Sequence, residues 1–306
     1  MTGTHNTWAI VVTYRPVPQD TARLLHAIAP QCAQVLVVDN GSPPAVQAAL
    51  AAACAPLANV RWLPLTRNLG LGAAQNRGIA QARAHHASHV LLLDQDSLPA
   101  PDMLARLHTA LHALQAQGAP VGGVGAVAHL GPEQPPLLYV SQPWGPRRAR
   151  PQDLAQDLVP AAFLVASGSL LPMQALQQVG PLREEWFIDH LDLEWSLRAR
   201  QLGLGLWCVP GASLAHHLGE RQVRLPGRAR PVHVHSPVRN YYLTRNTLLL
   251  MRTALMPWRW RLGYAAWLVQ YVAFNACLAS PRLPRWRQLL LGLRDGLLGR
   301  TGPAPS

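Results

Sequence analysis

Short apolar runs alternate with amphipathic stretches along the first third of the chain. The runs begin near Trp8, Gln34, Val60 and His89, and each ends close to Gly, Pro, Asn or Asp. Runs that are apolar throughout are typical of strands buried on both faces of a parallel sheet. The stretches between them, such as residues 20–29, have helical spacing. This alternation predicts an α/β fold with a doubly wound, mostly parallel, Rossmann-like sheet flanked by helices.

The apolar run at 89–94 ends in two carboxylates. Asp94 and Asp96 are one residue apart, and a Ser-Leu-Pro turn follows. Ligands of open α/β sheets bind beyond the carboxyl ends of the strands, and residues two apart on extended backbone point the same way. Both carboxylates could therefore face one Mg²⁺ or Mn²⁺ ion, since these ions prefer oxygen ligands. The alternative, in which both residues only form a turn and cap a helix, stays open at this point.

The charge of the chain is basic and is carried by one residue type. The formal net charge is +12, all 27 basic residues are Arg, and most of them lie at or beyond Arg147. Because Arg binds phosphate bidentately, the second half of the chain suits phosphates or anionic surfaces. The sequence has no nucleic-acid-binding motif, so nucleic acid is not an expected partner. A hydrophobic share of 49% argues against a disordered chain.

A Gly-rich loop precedes the third predicted helix. It runs from Arg67 to Gly78 and has neither the GxGxxG nor the P-loop pattern. Backbone N–H groups at a helix N-terminus, with Arg67 beside them, favour binding of a diphosphate. The same glycines also fit a helix cap with close packing, and the sequence does not decide between the two.

Five short motifs occur in a fixed order. They are Val-Val-Thr-Tyr at 11–14, Val-Val-Asp-Asn-Gly-Ser at 37–42, Arg-Asn-Leu-Gly at 67–70, Asn-Arg-Gly at 76–78 and Leu-Asp-Gln-Asp-Ser at 93–97. The set resembles the inverting GT-A glycosyltransferases of family 2, and within them the bacterial rhamnosyltransferases. The resemblance covers residues 10–252. It implies a GT-A fold and the metal-dependent transfer of a sugar from a nucleotide-sugar donor.

The resemblance also assigns residues to the donor site. It implies that Asp39 bonds the pyrimidine base, and that Arg245 and Asn246 end an RxYYxxRN element similar to one in rhamnosyltransferases. The residues implied to bind the nucleotide sugar are Thr13, Tyr14, Asp39, Asn40, Arg67, Asn68, Gly70, Asn76, Asp94, Arg245 and Asn246. The residues implied to hold the metal are Asp96, Asp94 and His216, although a lone His is more often structural.

The segment from Glu184 to Arg200 is rich in carboxylates and continues into a predicted helix. By resemblance, Asp192 corresponds to the general base of the family, and Asp189 stays as the alternative. Part of this acidic cluster also suits the positive end of the helix dipole. Ser167 and Gly168 interrupt an apolar run where family members approach the acceptor sugar, although a β-bulge explains them equally well. Glu194 is also assigned to the acceptor side.

The C-terminal region has a different pattern. We expect a GT-A domain at 1–246, with a nucleotide-sugar half at 1–125 and an acceptor and base half at 126–246, followed by helices at 247–306. An uncharged run at 262–280 is flanked by Trp and Arg, which favours an interfacial pair of helices, with packing on the catalytic domain as the alternative. The residues expected at headgroup depth are Trp258, Trp260, Trp286, Arg259, Arg261, Arg285 and Arg287.

The resemblance and these patterns lead to one functional hypothesis. They predict a rhamnosyltransferase that moves L-rhamnose from dTDP-L-rhamnose to a polyprenyl-diphosphate-linked or polysaccharide acceptor of a cell-surface glycan, such as O-antigen or capsule. The expected location is the cytoplasmic face of the bacterial inner membrane, with an anionic membrane surface as partner. The alternatives are a family 2 transferase that uses another UDP- or dTDP-sugar, and an inactive protein that binds the membrane surface.

Overall fold

A mostly parallel sheet of nine strands forms the centre of the computed structural model, which describes residues 6–131, 134–216, 221–223 and 232–305. The strands are β1 Thr7–Thr13, β2 Gln34–Asp39, β3 Val60–Pro64, β4 His89–Asp94, β5 Ser97–Pro99, β6 Val121–His129, β7 Tyr139–Gln142, β8 Gly145–Arg148, β9 Val159–Pro160, β10 Ser169–Pro172, β11 Gly205–His216, β12 Arg221–Val223 and β13 Val232–Val234. The order in the main sheet is β3-β2-β1-β4-β10-β6-β11-β5, with β9 paired to β11. β7 and β8 form a separate hairpin, and β12 pairs with β13.

The direction of the strands confirms the predicted class of fold. β1 runs parallel to both β2 and β4, and β6 runs parallel to β11. β10 is antiparallel to its neighbours β4 and β6. The apolar run at 163–171 becomes a strand only from Ser169, because Gly168 turns the chain with a φ of +89°. The carboxyl ends of β1, β2 and β4 therefore share one edge of the sheet.

Helices cover both faces of the sheet. They are α1 Pro18–Ile28, α2 Pro44–Cys54, α3 Leu71–Ala84, α4 Met103–Ala116, α5 Pro151–Leu154, α6 Met173–Val179, α7 Leu191–Gln201, α8 Pro237–Met251, α9 Trp258–Cys277 and α10 Arg282–Leu298. Along β1, Ile10 packs in the core that α3 and α7 share, whereas Val11 packs in the core of α1 and α4. This alternation is the period-two pattern of a strand, and it explains why β1 is buried on both faces.

The C-terminal helices pack on the rest of the protein. α10 lies against α8, where a Cβ added to Gly292 would be 2.6 Å from the carbonyl oxygen of Tyr241. The hydroxyl of Tyr241 donates to Asp295 at 2.9 Å, and Arg245 donates to the carbonyl of Gly302. α8 itself runs from residue 237 to 251, through the boundary expected at residue 246.

Two of the residues expected at the membrane surface lie inside the protein. Trp260 is buried and its indole N–H donates to the carbonyl of Gln142 at 2.8 Å. Arg285 is buried and donates to the side chain of Asn240 at 2.7 Å. Both predictions are wrong, because the helices turn these side chains toward the domain. Among the described residues, no helix is both long and apolar enough to cross a bilayer.

Candidate active site

A cleft of about 410 Å³ opens at the shared carboxyl edge of β1, β2 and β4. It lies where ligands of open α/β sheets bind. The structure brings together many of the predicted site residues there, namely Tyr14, Asn40, Asn68, Asp94, Asp96, Asp189, Asp192 and His216. We refer to this cavity as the donor cleft, after the role that the sequence resemblance implies for it.

Three side chains in the donor cleft could share one cation. One ligand atom each from Asp94, Asp96 and His216 lies within 4.8 Å of the others. The sheet register produces this grouping, because β11 pairs with β5 and places His216 opposite Ser97, directly after Asp96. The Nδ1 atom of His216 is 3.7 Å from an oxygen of Asp96. Two carboxylates and an imidazole form a donor set that suits Mg²⁺ or Mn²⁺.

We refer to the three candidate ligands Asp94, Asp96 and His216 as the metal-binding group. A chain of hydrogen bonds holds these side chains in place. The hydroxyl of Ser97 lies 2.8 Å from Nδ1 of His216 and 2.7 Å from the hydroxyl of Ser167. The backbone N–H of Asp94 donates to Ser167 at 3.0 Å. Such outer contacts fix the orientation of metal ligands. Ser167 therefore supports the metal-binding group, and its buried side chain does not line the cleft.

The other two residues assigned to the acceptor side are also enclosed. Gly168 packs against Ala126, with 3.1 Å from its ideal Cβ position to the Cβ of that residue. Glu194 is fully buried and pairs with Arg183 at 2.7 Å and Arg198 at 2.9 Å. These contacts give Gly168 and Glu194 structural roles, because neither side chain position reaches a cavity large enough for a sugar.

The carboxylates of the metal-binding group lie close together, and Asp94 is partly shielded from solvent. Burial, together with the neighbouring carboxylates of Asp96 and Asp192, raises the pKa of Asp94 to about 6, although the positive charges of His216 and Arg239 oppose this rise. Carboxylates that repel one another in this way gain most from a cation between them. The donor set and its charge therefore both fit a divalent metal ion.

Asp189 and Asp192 differ in what holds them. The guanidinium of Arg239 binds both oxygens of Asp189, with 2.8 Å from Nε to Oδ2. In Asp192, Oδ1 accepts from the N–H of Leu193 at 2.8 Å, whereas Oδ2 has only a long contact of 3.4 Å to the N–H of Ala166. Burial raises the pKa of Asp192 above that of an ordinary aspartate. Asp192 is thus the carboxylate with an oxygen available to accept a proton.

The segment that carries these carboxylates has an unusual backbone. Phe187, Asp189 and His190 have φ angles of 68°, 68° and 61°, and each such residue costs about 1–3 kcal/mol. The amide of Asn246 donates to the carbonyls at positions 186, 188 and 189, at 3.1, 2.7 and 3.0 Å. Arg245 donates to the carbonyl at 186 at 2.8 Å. These bonds hold the segment in the conformation that points its carboxylates into the cleft.

The structure therefore corrects the role expected for Arg245 and Asn246. Both are fully buried behind residues 186–190, and their polar groups bond to backbone carbonyls rather than facing the donor cleft. The cationic residue of this element that does line the cleft is Arg239. It lies six positions before Arg245, on a different face of α8, so only one of the two can reach the cleft.

Several residues that were predicted to bind the donor lie behind the cleft wall and do not line the cleft. Thr13 and Asp39 are fully buried, and the hydroxyl of Thr13 donates to Asp39 at 3.1 Å. Asp39 also accepts from the N–H and the hydroxyl of Ser42. Asn76 bonds to the backbone of Leu182 at 2.8 and 3.0 Å, outside the cleft. In the structure as described, none of these side chains lines the cleft.

The Gly-rich loop approaches the acidic segment closely. Gly70 has a φ of +90°, and a Cβ added there would be 2.7 Å from the carbonyl oxygen of Phe187. Its neighbour Leu71 donates its N–H to that same carbonyl at 2.6 Å. Because Gly70 has no side chain, the Gly-rich loop can pack directly against the backbone of Phe187 in the acidic segment. Arg67, the first residue of the loop, is exposed and does not line the cleft, so its contact with a diphosphate stays a prediction.

Several polar residues of the cleft were not assigned from the sequence, among them Arg239, Gln95 and Gln75. Arg239 lines the cleft beside Asp189, and Gln95 accepts a hydrogen bond from the N–H of Tyr14 at 2.7 Å. Gln75 lines the cleft but is otherwise buried, and no described residue donates to its Oε1. Arg239 and Gln95 had a sequence signal, namely their places in the RxYYxxRN element and in the Leu-Asp-Gln-Asp-Ser motif, whereas Gln75 had none.

A cleft at this edge of the sheet, with an Asp-x-Asp pair after β4 and a second acidic segment opposite, defines the GT-A class of nucleotide-sugar-dependent glycosyltransferases. The sequence profile of glycosyl transferase family 2 matches residues 8–180. The chain belongs to this family, and it is a glycosyltransferase.

The chain is also similar to individual glycosyltransferases in sequence and in fold. The chain is 26% identical over 297 residues to the dTDP-rhamnosyl transferase RfbF of Shigella flexneri, covering 97% of each chain. It is 29% identical over 252 residues to the N-acetylglucosaminyl-diphospho-decaprenol L-rhamnosyltransferase of Mycobacterium tuberculosis, covering 73% of this chain and 80% of that one. Its fold is similar to that of a mannosyltransferase from Pyrobaculum calidifontis in complex with GDP-Man and Mn²⁺. That match has a TM-score of 0.55 and 17% identity, and it covers 97% of this chain and 81% of that chain.

Proposed function

We propose that the chain is an inverting, metal-dependent rhamnosyltransferase that uses dTDP-L-rhamnose as donor. The observation that carries this proposal is the position of Asp192. It borders the donor cleft, which holds the metal-binding group, and also a second cavity on the other side of the acidic segment. In this position, Asp192 can take a proton from an acceptor in the second cavity while the donor occupies the donor cleft. The similarity to dTDP-rhamnosyl transferase over nearly the whole chain supports the choice of sugar.

Asp94, Asp96 and His216 would hold the cation. When bound, a divalent ion neutralises charge on the leaving diphosphate, which lowers the barrier to bond cleavage. Tyr14, Asn40 and Asn68 line the part of the cleft beyond this group and would contact the nucleoside. The unpaired Oε1 of Gln75 supports a polar ligand there, because a buried acceptor without a donor costs about 1–3 kcal/mol.

Asp192 would act as the general base of a single displacement. The acceptor hydroxyl gives its proton to Asp192 while its oxygen forms a bond to the anomeric carbon of rhamnose. The bond from that carbon to the phosphate oxygen breaks, and its electron pair leaves with dTDP. One displacement inverts the anomeric centre, and no covalent intermediate with the protein forms. Arg239 binds Asp189 and keeps it from competing for the proton.

A panel of donors tests this proposal. We expect nucleotide release with Mn²⁺ to be fastest from dTDP-L-rhamnose, compared with UDP-glucose, UDP-N-acetylglucosamine and GDP-mannose. Chromatography of the released nucleotide measures the rates. A preference for another UDP- or dTDP-sugar would contradict the proposed donor but would still agree with the proposed transfer reaction. Release from none of the four, with and without acceptor glycosides, would contradict the enzymatic proposal and favour a membrane-surface binding protein.

We further infer that the enzyme works at the cytoplasmic face of the bacterial inner membrane, on a lipid-linked glycan. One relative has a diphospho-decaprenol acceptor in its name, which supports an acceptor at a membrane. On α9 and α10 the structure leaves large apolar side chains exposed, including Trp258, Leu283 at 81% and Leu290 at 56%. Arg259, Arg282 and other exposed Arg residues lie on the same helices. Apolar area together with basic charge gives affinity for anionic headgroups.

Vesicle sedimentation tests the membrane inference. The wild type should pellet with phosphatidylglycerol vesicles, bind phosphatidylcholine vesicles weakly and be released partly by high salt. Changing both Leu283→Asp and Leu290→Asp should weaken binding at least about tenfold, because two apolar groups are lost and two negative charges are added. Leu202→Asp, at an exposed leucine outside the C-terminal helices, is the matched control. Equal sedimentation of all three proteins would show that this surface does not bind membranes.

A further inference from the structure

The second cavity has a volume of about 400 Å³ and lies next to the donor cleft. The two cavities share Val165, Asp189, His190 and Asp192. This volume is in the range of small-molecule sites. Asp192 is therefore reachable from both sides, and whatever occupies the second cavity lies beside the base. We refer to it as the aromatic cavity.

The walls of the aromatic cavity come from parts of the chain that are far apart in sequence. Tyr139 and Phe163 stack with their ring centroids 4.6 Å apart on one side. Tyr264 and Trp267 of α9 form another part of the wall, and Trp267 is stacked on Tyr271 at 5.0 Å. The hairpin of β7 and β8 closes against α9 at Gly263, where a Cβ would be 1.8 Å from the carbonyl oxygen of Trp144. A C-terminal helix is thus part of this site.

Polar side chains also line the aromatic cavity. No described residue accepts a hydrogen bond from the hydroxyl of Tyr264 or from the indole N–H of Trp267, and Oδ2 of Asp192 has spare accepting capacity. Aromatic faces carry negative potential and attract C–H groups. A sugar ring offers both kinds of contact, since it has C–H groups on its faces and hydroxyls around its edge.

The charge of the aromatic cavity restricts what kind of sugar fits. Among the described residues that line it, the ionisable acids are Asp189 and Asp192, and there is no Arg. Burial lowers the pKa of His190 to about 4, so its imidazole is neutral at pH 7. Arg239, which pairs with Asp189, lies on the side of the donor cleft. Arg148 lies 4.9 Å from the ring centroid of Tyr139 but is not among the residues that line the cavity. A phosphate or uronate in the aromatic cavity would lie beside the carboxylate of Asp192, and no Arg of the lining would compensate the repulsion.

We propose that the aromatic cavity binds the reacting unit of the acceptor as a neutral sugar ring, stacked on the aromatic side chains with its hydroxyl toward Asp192. This inference rests on the proposed function, because it takes Asp192 as the base. It places any phosphate of a lipid-linked acceptor outside the cavity. The reaction that precedes this one must therefore supply an acceptor that ends in an uncharged sugar.

Binding of octyl glycosides provides the test, measured by saturation-transfer NMR and by tryptophan fluorescence with dTDP and Mn²⁺ present. We expect octyl glycosides of neutral sugars to bind, with octyl glucuronide and glucose 1-phosphate at least about tenfold weaker. Trp267→Ala should weaken neutral glycoside binding about tenfold and leave the affinity for dTDP as in the wild type. Trp267 is 39% exposed, so this change is compatible with folding.

The control is Trp286→Ala, which removes a tryptophan of similar exposure, 44%, that does not line the aromatic cavity. It should bind neutral glycosides like the wild type. The inference is overturned if Trp267→Ala binds them like the control, if the anionic compounds bind equally well, or if no neutral glycoside binds. A wild type that binds dTDP with Mn²⁺ but gives any of these results keeps the proposed function. A wild type that does not bind dTDP contradicts the proposed function itself.

Discussion

Asp192→Asn is expected to lower the turnover of dTDP-L-rhamnose by about 10²-fold or more, the usual contribution of a general base. The substitution keeps the size of the side chain and its hydrogen bond from Leu193, but it removes the ability to take up a proton. Because Asp192 is outside the metal-binding group, the affinity for dTDP and Mn²⁺ should stay near the wild-type value. Steady-state kinetics with saturating donor measures the change.

The dependence of activity on pH tests independently whether Asp192 is the general base. Asp192 works only when deprotonated, and burial raises its pKa, so the activity of the wild type should fall as the pH drops through this raised pKa. Saturating Mn²⁺ keeps Asp94 deprotonated and removes its contribution from the profile. The residual activity of Asp192→Asn should lack this acidic limb. Asp189→Asn is the comparison, and if it reproduces the loss while Asp192→Asn stays active, Asp189 is the base.

Asp96→Ala is expected to reduce turnover about 10³-fold or more and to abolish its response to Mn²⁺. A bound divalent ion contributes several kcal/mol to stabilising the leaving diphosphate, and each 1.36 kcal/mol is a factor of ten in rate. Asp96 is partly exposed at the mouth of the cleft, so its removal should leave the fold intact. Rates with Mn²⁺ and with EDTA, and the melting temperature, measure both expectations.

Asp102→Ala provides the matched control for this change. Asp102 is an exposed aspartate that pairs on the surface with Arg106, and surface pairs contribute about 0–1 kcal/mol to stability. The control variant should have wild-type rates and the wild-type response to Mn²⁺. Turnover of Asp96→Ala at the rate of this control would show that Asp96 does not hold a catalytic metal.

The sheet and the position of Asp94 and Asp96 at a strand end were predictable because short-range patterns encode them. Apolar runs that end close to Pro, Asn or Asp indicated β1, β2 and β4, and the spacing of Asp94 and Asp96 placed both at one strand end. His216 was assigned only by resemblance. The observed pairing of β11 with β5 then gives a physical reason for its position next to Asp96.

The roles of Arg239 and Arg245 depend on tertiary packing and could not be read from the sequence. Their spacing of six residues shows only that they face different directions on α8. Which direction faces the cleft is decided by the packing of α10 on α8, through the small residues Gly292 and Gly296. Ser167 is similar, since its contact with Asp94 follows from how the chain enters β10 next to β4.

The aromatic cavity was also beyond prediction from local patterns. Tyr139 and Phe163 come from the middle of the chain and Tyr264 and Trp267 from near its end, and no sequence periodicity connects them. A further reason is that aromatic residues in a C-terminal helix fit a membrane-facing surface equally well. Trp260 shows the consequence, because it is buried against Gln142 although it was expected at headgroup depth.

Calorimetric titration of dTDP into three proteins, with Mn²⁺ and with EDTA, tests the central claim most directly. The claim is that Asp94, Asp96 and His216 hold a metal that binds the donor, while Asp192 acts only on the acceptor. The wild type and Asp192→Asn should bind dTDP equally well and at least about tenfold more tightly with Mn²⁺ than with EDTA, whereas Asp96→Ala should bind weakly in both. Binding of dTDP by the wild type that is the same with EDTA as with Mn²⁺, or that is unchanged in Asp96→Ala, would contradict the claim.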